Sequence, residues 1–210
     1  MEKDKHYCIC IGRKFCSGGR NVAALVAEQL GIKVSDRDLL KKAAQNTGFS
    51  EKFFDEADEE KTRRGLRSLF MSHFNGSNGF AANYLSNESL FKMQSDAIRH
   101  IHEQEDCVFI GRCADYVLRD SDRLLNVFIA ADKDDRVARV LRHADEGMTE
   151  SKALSLIEDI DHKRSSYYNY FTGRTWGDPA VYDICLNSST LGYDKCAEMI
   201  VALAKERLGI

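Results

Sequence analysis

Proline is almost missing from this chain, with one residue, Pro179, in 210. Few positions are therefore locked at the proline φ, and charged residues make up 30% of the sequence, so the chain reads as largely helical rather than extended or low in complexity. Long apolar runs are missing too. No stretch approaches the roughly 20 residues of a membrane span, and Met1 to His6 carries no secretory pattern, so no membrane association and a cytoplasmic location are expected. Nor is there a strong charge imbalance. A net charge of -3 and a pI near 6.1 argue against a general nucleic-acid binder, and any polyanion site must be local. The seven cysteines (Cys8, Cys10, Cys16, Cys107, Cys113, Cys185 and Cys196) are odd in number and show neither a C-x-x-C pair nor a knuckle spacing with histidine. They read as reduced, mostly buried small apolar residues rather than zinc ligands. Cys16 and Cys113 fall in polar, glycine-containing segments and are expected to be accessible.

What is present is organised around Tyr7 to Leu30. Tyr7 to Ile11 is an apolar run suited to a buried strand, and it is expected to stop at Gly12. From Val22 the apolar residues Val22, Leu25, Val26 and Leu30 return at helical spacing, with Gly31 as a stop. Between them Gly18 and Gly19, with Arg13, Lys14 and Arg20, sit where a helix begins. Such a turn builds a phosphate cradle: glycines let amides approach an anion, and the helix N-terminus and a cation neutralise it. A plain strand-to-helix turn with solvated charges stays open as the alternative. Aligned on Gly19-Arg20, the pattern G-x-x-x-x-G-K-[ST] is broken at Lys14, Arg20 and Asn21.

Further strands are expected at Ile32–Val34, Cys107–Ile110, Leu124–Ala130 and Tyr182–Asn187, and helices at Leu39–Asn46, Leu90–Gln104, Lys133–Ala144, Glu150–Tyr170 and Tyr193–Leu208. Uninterrupted apolar strands separated by helices predict an α/β domain with a parallel sheet covered on both faces. Ser35-Asp36-Arg37-Asp38 lies at a strand's carboxyl end, where open α/β sheets bind ligands, though Ser35 or Asp36 could equally cap the next helix. Residues 47–105 read as a helical insert with a glycine-containing loop at Asn75–Gly79.

The segments Ile11 to Arg20, Asp36 to Leu40, Gly111 to Leu118 and Asp161 to Tyr168, with Tyr182-Asp183 and Asn187-Ser188 downstream, resemble the cytidylate-kinase-like family, a branch of the nucleoside monophosphate kinases within the P-loop kinases. The resemblance implies a three-layer α/β/α P-loop kinase fold with a five-stranded parallel sheet. Its single domain would have a core at 1–35, 106–144 and 181–210, a helical NMP-binding insert at 36–105 and a lid at 145–180. The implied activity moves the terminal phosphoryl group of ATP to CMP or dCMP with magnesium, so the partners are a nucleotide donor and a small-molecule acceptor.

By resemblance, Ser17, Gly18, Gly19 and Arg20, with Lys14, hold the donor phosphates, and Asn21 offers magnesium a carbonyl oxygen. Arg20, Lys163 and Arg164 act on the migrating phosphoryl group, Lys163 and Arg164 swinging in from the lid. Arg139 or Arg142 lies on the donor base. Asp36, Arg37 and Arg112 face the acceptor, with Tyr167 and Tyr168 on the same side or packing the lid helix. Cytidylate kinase proper has Gly-Arg-Asp where this chain has Gly111-Arg112-Cys113, so Asp115 or Asp161 is expected to supply the missing carboxylate. Gly147 and Gly173 bracket the lid as hinges. A kinase of another small acceptor (a coenzyme precursor or a small alcohol) and a nucleotide-binding or sensing protein without catalysis are the alternatives.

Overall fold

The structure is a computed structural model that describes residues 5–35, 80–144 and 146–210, with residues 80–87, 89 and 90 as backbone only. In chain order the described elements are β1 (Cys8–Arg13), α1 (Gly19–Leu30), β2 (Lys33–Ser35), α2 (Phe80–Gln104), β3 (Cys107–Ile110), α3 (Ala114–Val117), β4 (Leu124–Ala130), α4 (Lys133–His143), α5 (Glu150–Thr172), a 3-10 turn at Pro179–Val181, β5 (Ile184–Asn187) and α6 (Ser188–Leu208). The strands form one five-stranded sheet, all parallel, in the order β2-β3-β1-β4-β5.

Alternation along β1 explains the layers. Ile9 and Ile11 point to one face, where Val127 and Ile129 of β4 join them beneath Val22 and Val26 of α1 and Ile200 of α6. Burying each such branched side chain contributes roughly 1.5–3 kcal/mol. Cys8 and Cys10 point to the other face, with Cys107 and Phe109 of β3, under Ile98 of α2 and Val117 of α3. The cysteine count is thus largely a packing choice. Burial pushes the Cys10 thiol well up and that of Cys107 up to about 11, which keeps both protonated.

The strand that opens the chain runs past its expected stop, since Gly12 and Arg13 stay in register with Phe128 and Ile129. Gly12 is there for space: a Cβ would lie 2.9 Å from the Phe128 ring. The closing helix begins at Ser188 rather than Tyr193, with Gly192 (φ 75) as a kink where the expected helix takes over. Because β1 lies between β3 and β4, the carboxyl ends of these strands meet at the switch point of the sheet, where α/β folds bind ligands. Over that end lies α5, a 23-residue helix whose Ala153, Leu156 and Ile157 pack on Val140 of α4, with Phe15 and Cys16 of the first turn against them. Most of the expected insert, including Asp36, Arg37 and the Leu39–Asn46 helix, lies outside the described residues; α2 extends its last helix back to Phe80.

Candidate phosphate-binding site

The turn between β1 and α1 is held from outside by its carbonyls. Arg13 O accepts from Arg164 Nη1 at 3.1 Å, Phe15 O from Arg136 Nε at 2.7 Å, Cys16 O from Arg139 Nη1 at 2.9 Å and Ser17 O from Ser188 Oγ at 2.6 Å. The Phe15 amide donates to Asp161 Oδ1 at 2.7 Å, and Arg136 Nη2 donates to Asp161 Oδ2 at 2.5 Å. The amides of Cys16, Gly18 and Gly19 find no acceptor among the described residues. Ser17 Oγ is buried without a partner among the described residues. Carbonyls strapped outward, amides left over, an orphaned hydroxyl and a helix N-terminus together make a cradle that fits an anion's oxygens.

The left-handed positions of the loop are Cys16 (φ 56) and Gly18 (φ 76). Lys14, where alignment on Gly19-Arg20 demands a glycine, is not one of them, so that departure from the common pattern costs no backbone strain. A Cβ on Gly18 would overlap the Tyr193 ring. Gly18→Ala therefore combines a left-handed penalty of about 1–2 kcal/mol with overpacking of about 1–3, and should lower stability by roughly 2–5 kcal/mol in urea unfolding. Adding Tyr193→Ala should recover the steric part alone; full recovery, or no loss at all, would contradict this geometry.

Cations gather around the cradle. Arg13 Nη1 fills the space that a Cβ on Gly111 would take. Burial lowers the Arg164 pKa, and Arg20 and Arg112 lower it further by like-charge repulsion against the opposing pull of Asp161. Gly111, Arg112 and Cys113 are left-handed in succession (φ 67, 63 and 57), a strained turn that sets Arg112 at the carboxyl end of β3. Lys14 Nζ stands 3.9 Å from Asp161 Oδ2 and 5.2 Å over the Trp176 ring, beside an open cleft of about 440 Å³. Arg13 and Trp176 were not singled out in the sequence as site residues. Arg13 carried a signal only as a cation next to the turn, and Trp176 carried none.

Several expected residues are placed differently. Lys163 is not brought to the cradle: its side chain is 51% exposed and pairs with Asp159 one turn back. Asp161 clamps the loop, accepting from the Phe15 amide and from Arg136. Asp115 accepts from Tyr168 Oη at 2.5 Å, both residues are buried, and burial raises the Asp115 pKa; this carboxylate too is already engaged. Of Arg139 and Arg142, Arg139 reaches the loop and lies 5.2 Å from the Tyr193 ring, whereas Arg142 is exposed. Asn21 is exposed on the first turn of α1. Cys16 is half-buried, and Cys113 is 2% exposed with its thiol pushed up to about 12 by burial, which corrects the expected accessibility of Cys113. Tyr167 comes close enough to Arg112 and Cys113 to feel both. Gly147 and Gly173 are both left-handed, and Gly173 caps α5.

The model of the cytidylate kinase-like family matches residues 8–190. The chain belongs to the cytidylate kinase-like family. Among solved structures, this cytidylate kinase-like chain is 27% identical to an uncharacterized protein from Eubacterium ventriosum ATCC 27560, with a TM-score of 0.71 and a match over 96% of this chain and 100% of the other. Shikimate kinase from Bacteroides thetaiotaomicron (15% identical, TM-score 0.51, 97% of this chain and 99% of the other) shares the P-loop kinase fold. TT1252 from Thermus thermophilus (19% identical, TM-score 0.52, 96% and 98%) is similar in the same way. No curated protein matches the chain. Family and fold together support a P-loop kinase phosphotransferase. No helix among the described residues is long and apolar enough to cross a membrane, and none of their side chains form a cluster of three or more His, Cys, Asp or Glu suited to a metal ion.

Proposed function

We propose that this cytidylate kinase-like protein transfers the terminal phosphoryl group of ATP to a nucleoside monophosphate, with CMP and dCMP first. The observation that carries the reading is the cradle itself, with the orphaned Ser17 hydroxyl inside it and Arg13, Arg20, Arg112 and Arg164 around it. Such a site has cationic capacity for a donor polyphosphate and, at the end of β3, for an acceptor that is itself a phosphate.

In this reading the amides of Cys16, Gly18 and Gly19 bind the donor phosphates, and Arg139 supports the loop beside the donor base. Arg112 holds the acceptor phosphate so that one of its oxygens lies in line with the terminal phosphorus. That oxygen forms the new P–O bond as the bond to the bridging oxygen breaks, and ADP leaves. Charge shifts onto the equatorial and bridging oxygens, and Arg20 and Arg164 neutralise it. Magnesium, when bound, would add charge neutralisation on the phosphates; the Ser17 hydroxyl and the Asn21 carbonyl are the oxygens offered near the loop, so most of its ligands would come from phosphate and water. Lys163 has no part in this scheme, and Asp36 and Arg37 keep their proposed place beside the acceptor.

Following ADP release by the folded protein with ATP and magnesium, across CMP, dCMP, UMP, AMP and shikimate-like alcohols, tests the reading. Turnover is expected with the pyrimidine monophosphates first. Turnover with an alcohol alone would move the assignment to a kinase of another small acceptor. Raised thermal stability with ATP or CMP and no turnover would make the protein a nucleotide sensor.

A further inference from the structure

Two side chains near the donor loop have no task in the reaction proposed above. Lys14 stands where alignment on Gly19-Arg20 asks for a glycine, and Trp176 is the only tryptophan of the chain. They meet: the Lys14 ammonium lies 5.2 Å over the Trp176 ring. Both line the open cleft of about 440 Å³, whose other walls come from the start of α4 and from α5. None of Ser17, Gly18, Gly19, Arg20, Arg112 or Arg164 lines it, so this space is not the cradle. It lies behind the donor loop, because Asp161 and Arg136, which strap Phe15, form part of its wall.

Charge and shape narrow what the cleft would hold. Three cations, Lys14, Lys133 and Arg136, line it with two carboxylates, Glu158 and Asp161, and the exposed His162 joins them. Asp161 is engaged by Arg136 at 2.5 Å, while Lys14 stays 3.9 Å from it. Lys133 and Glu158 pair at 3.4 Å, but both side chains are more than half exposed, so that contact is worth little and yields readily. The surplus is positive and favours an anion. The volume is many times that of a phosphate ion and falls within the range of about 300–1,000 Å³ that takes small organic ligands. Leu154 and Ile157 add an apolar floor, and Trp176 adds an aromatic wall. A group paired with Lys14 is brought beside the indole, where a flat ring gains by stacking and an aliphatic sugar gains little.

We propose that this cleft is a second ligand site, apart from the phosphoryl-transfer centre, for a small anion that carries a flat aromatic ring, and that a nucleoside monophosphate fits it. An occupant would press on the residues that hold Phe15 and so bear on the donor loop without touching the reacting phosphates. The proposal needs neither turnover nor any particular acceptor.

Trp176 reports on its own cleft, since no other indole contributes to the emission. Fluorescence excited at the red edge of indole absorption, clear of the nucleotides, would be followed as CMP or AMP is added. Cytidine supplies the ring alone, and ribose 5-phosphate the anion alone. A saturable change is expected with a nucleotide, and each half-molecule should need at least roughly tenfold more. Lys133→Glu should weaken the nucleotide signal roughly tenfold, and Arg112→Ala should leave it in place. Lys133 is exposed, so Lys133→Glu should melt close to wild type; Lys133→Ala, free of repulsion with Glu158, should give the same direction with a smaller loss.

A signal lost in Arg112→Ala and kept in both Lys133 variants would overturn the proposal, because the emission would then follow the reaction centre. So would the absence of a saturable change with either nucleotide, or ribose 5-phosphate matching them. Turnover without a signal that depends on Lys133 would leave phosphoryl transfer standing and refute this site. The signal without turnover would do the reverse.

Discussion

Replacing Asp161 by alanine is expected to lower the melting temperature by roughly 6–20 °C. The carboxylate is buried between the Phe15 amide and the Arg136 guanidinium, with Lys14 Nζ 3.9 Å away. Arg136 is itself buried, so removing Asp161 strands a cation without its partner, which typically costs about 3–5 kcal/mol. At about 2–4 °C per kcal/mol for a chain of this size, the shift follows. Asp161→Asn keeps an acceptor for the Phe15 amide but loses the charge, and should fall between wild type and alanine. Thermal unfolding followed by circular dichroism measures both. A shift under about 2 °C for the alanine variant would show that Asp161 does not hold the loop.

Arg164→Ala should behave in the opposite way, with a large loss of activity and little loss of stability. Its guanidinium sits over the Phe15 ring and donates to Arg13 O, contacts that favour folding, but it is crowded by Arg20 and Arg112, and removing it relieves that repulsion. In the proposed reaction it meets charge that appears only in the transition state, and loss of one such group lowers kcat by about 10²–10³-fold or more. Arg20→Ala should show the same activity loss from the first turn of α1. Arg164→Lys should recover only part, because an ammonium cannot reproduce a planar fork that spans two oxygens. Steady-state kinetics set beside melting temperatures decide the matter. A kcat within threefold of wild type would remove Arg164 from the reaction, while equal losses of activity and stability would make it a fold residue.

Much of this architecture was legible in the sequence, for physical reasons. Strands buried on both faces show as apolar runs, broken in Leu124–Ala130 by Asn126 alone, which is why Cys107–Ile110 and Leu124–Ala130 were readable to their ends. The glycine pair before α1 and the cations around it were equally visible. Backbone conformations without a residue signature were not. Cys16, Arg112 and Cys113 are left-handed because their surroundings hold them so, and no residue type announced it. Pairings distant along the chain were also hidden. Asp161 finds Phe15, and Asp115 finds Tyr168, only once the fold exists.

The outward placement of Lys163 in this structure follows from helix spacing. On a helix, Asp161, Arg164 and Tyr168 fall on one stripe, while Lys163 is turned about 100° from Arg164. The buried stripe carries Arg164 to the loop and leaves Lys163 beside Asp159.

Asp161 and Tyr167 stand on the same rigid helix, one strapped to the donor loop and the other beside Arg112. In the proposed reading the donor and acceptor compartments therefore share a mechanical part. If filling one of them tilts or stiffens that helix, the affinity of the other must change, and by thermodynamic reciprocity the factor is the same in both directions. An order of substrate addition, where one is seen in such a protein, need not come from a separate regulatory device. It can arise from the length of a single helix.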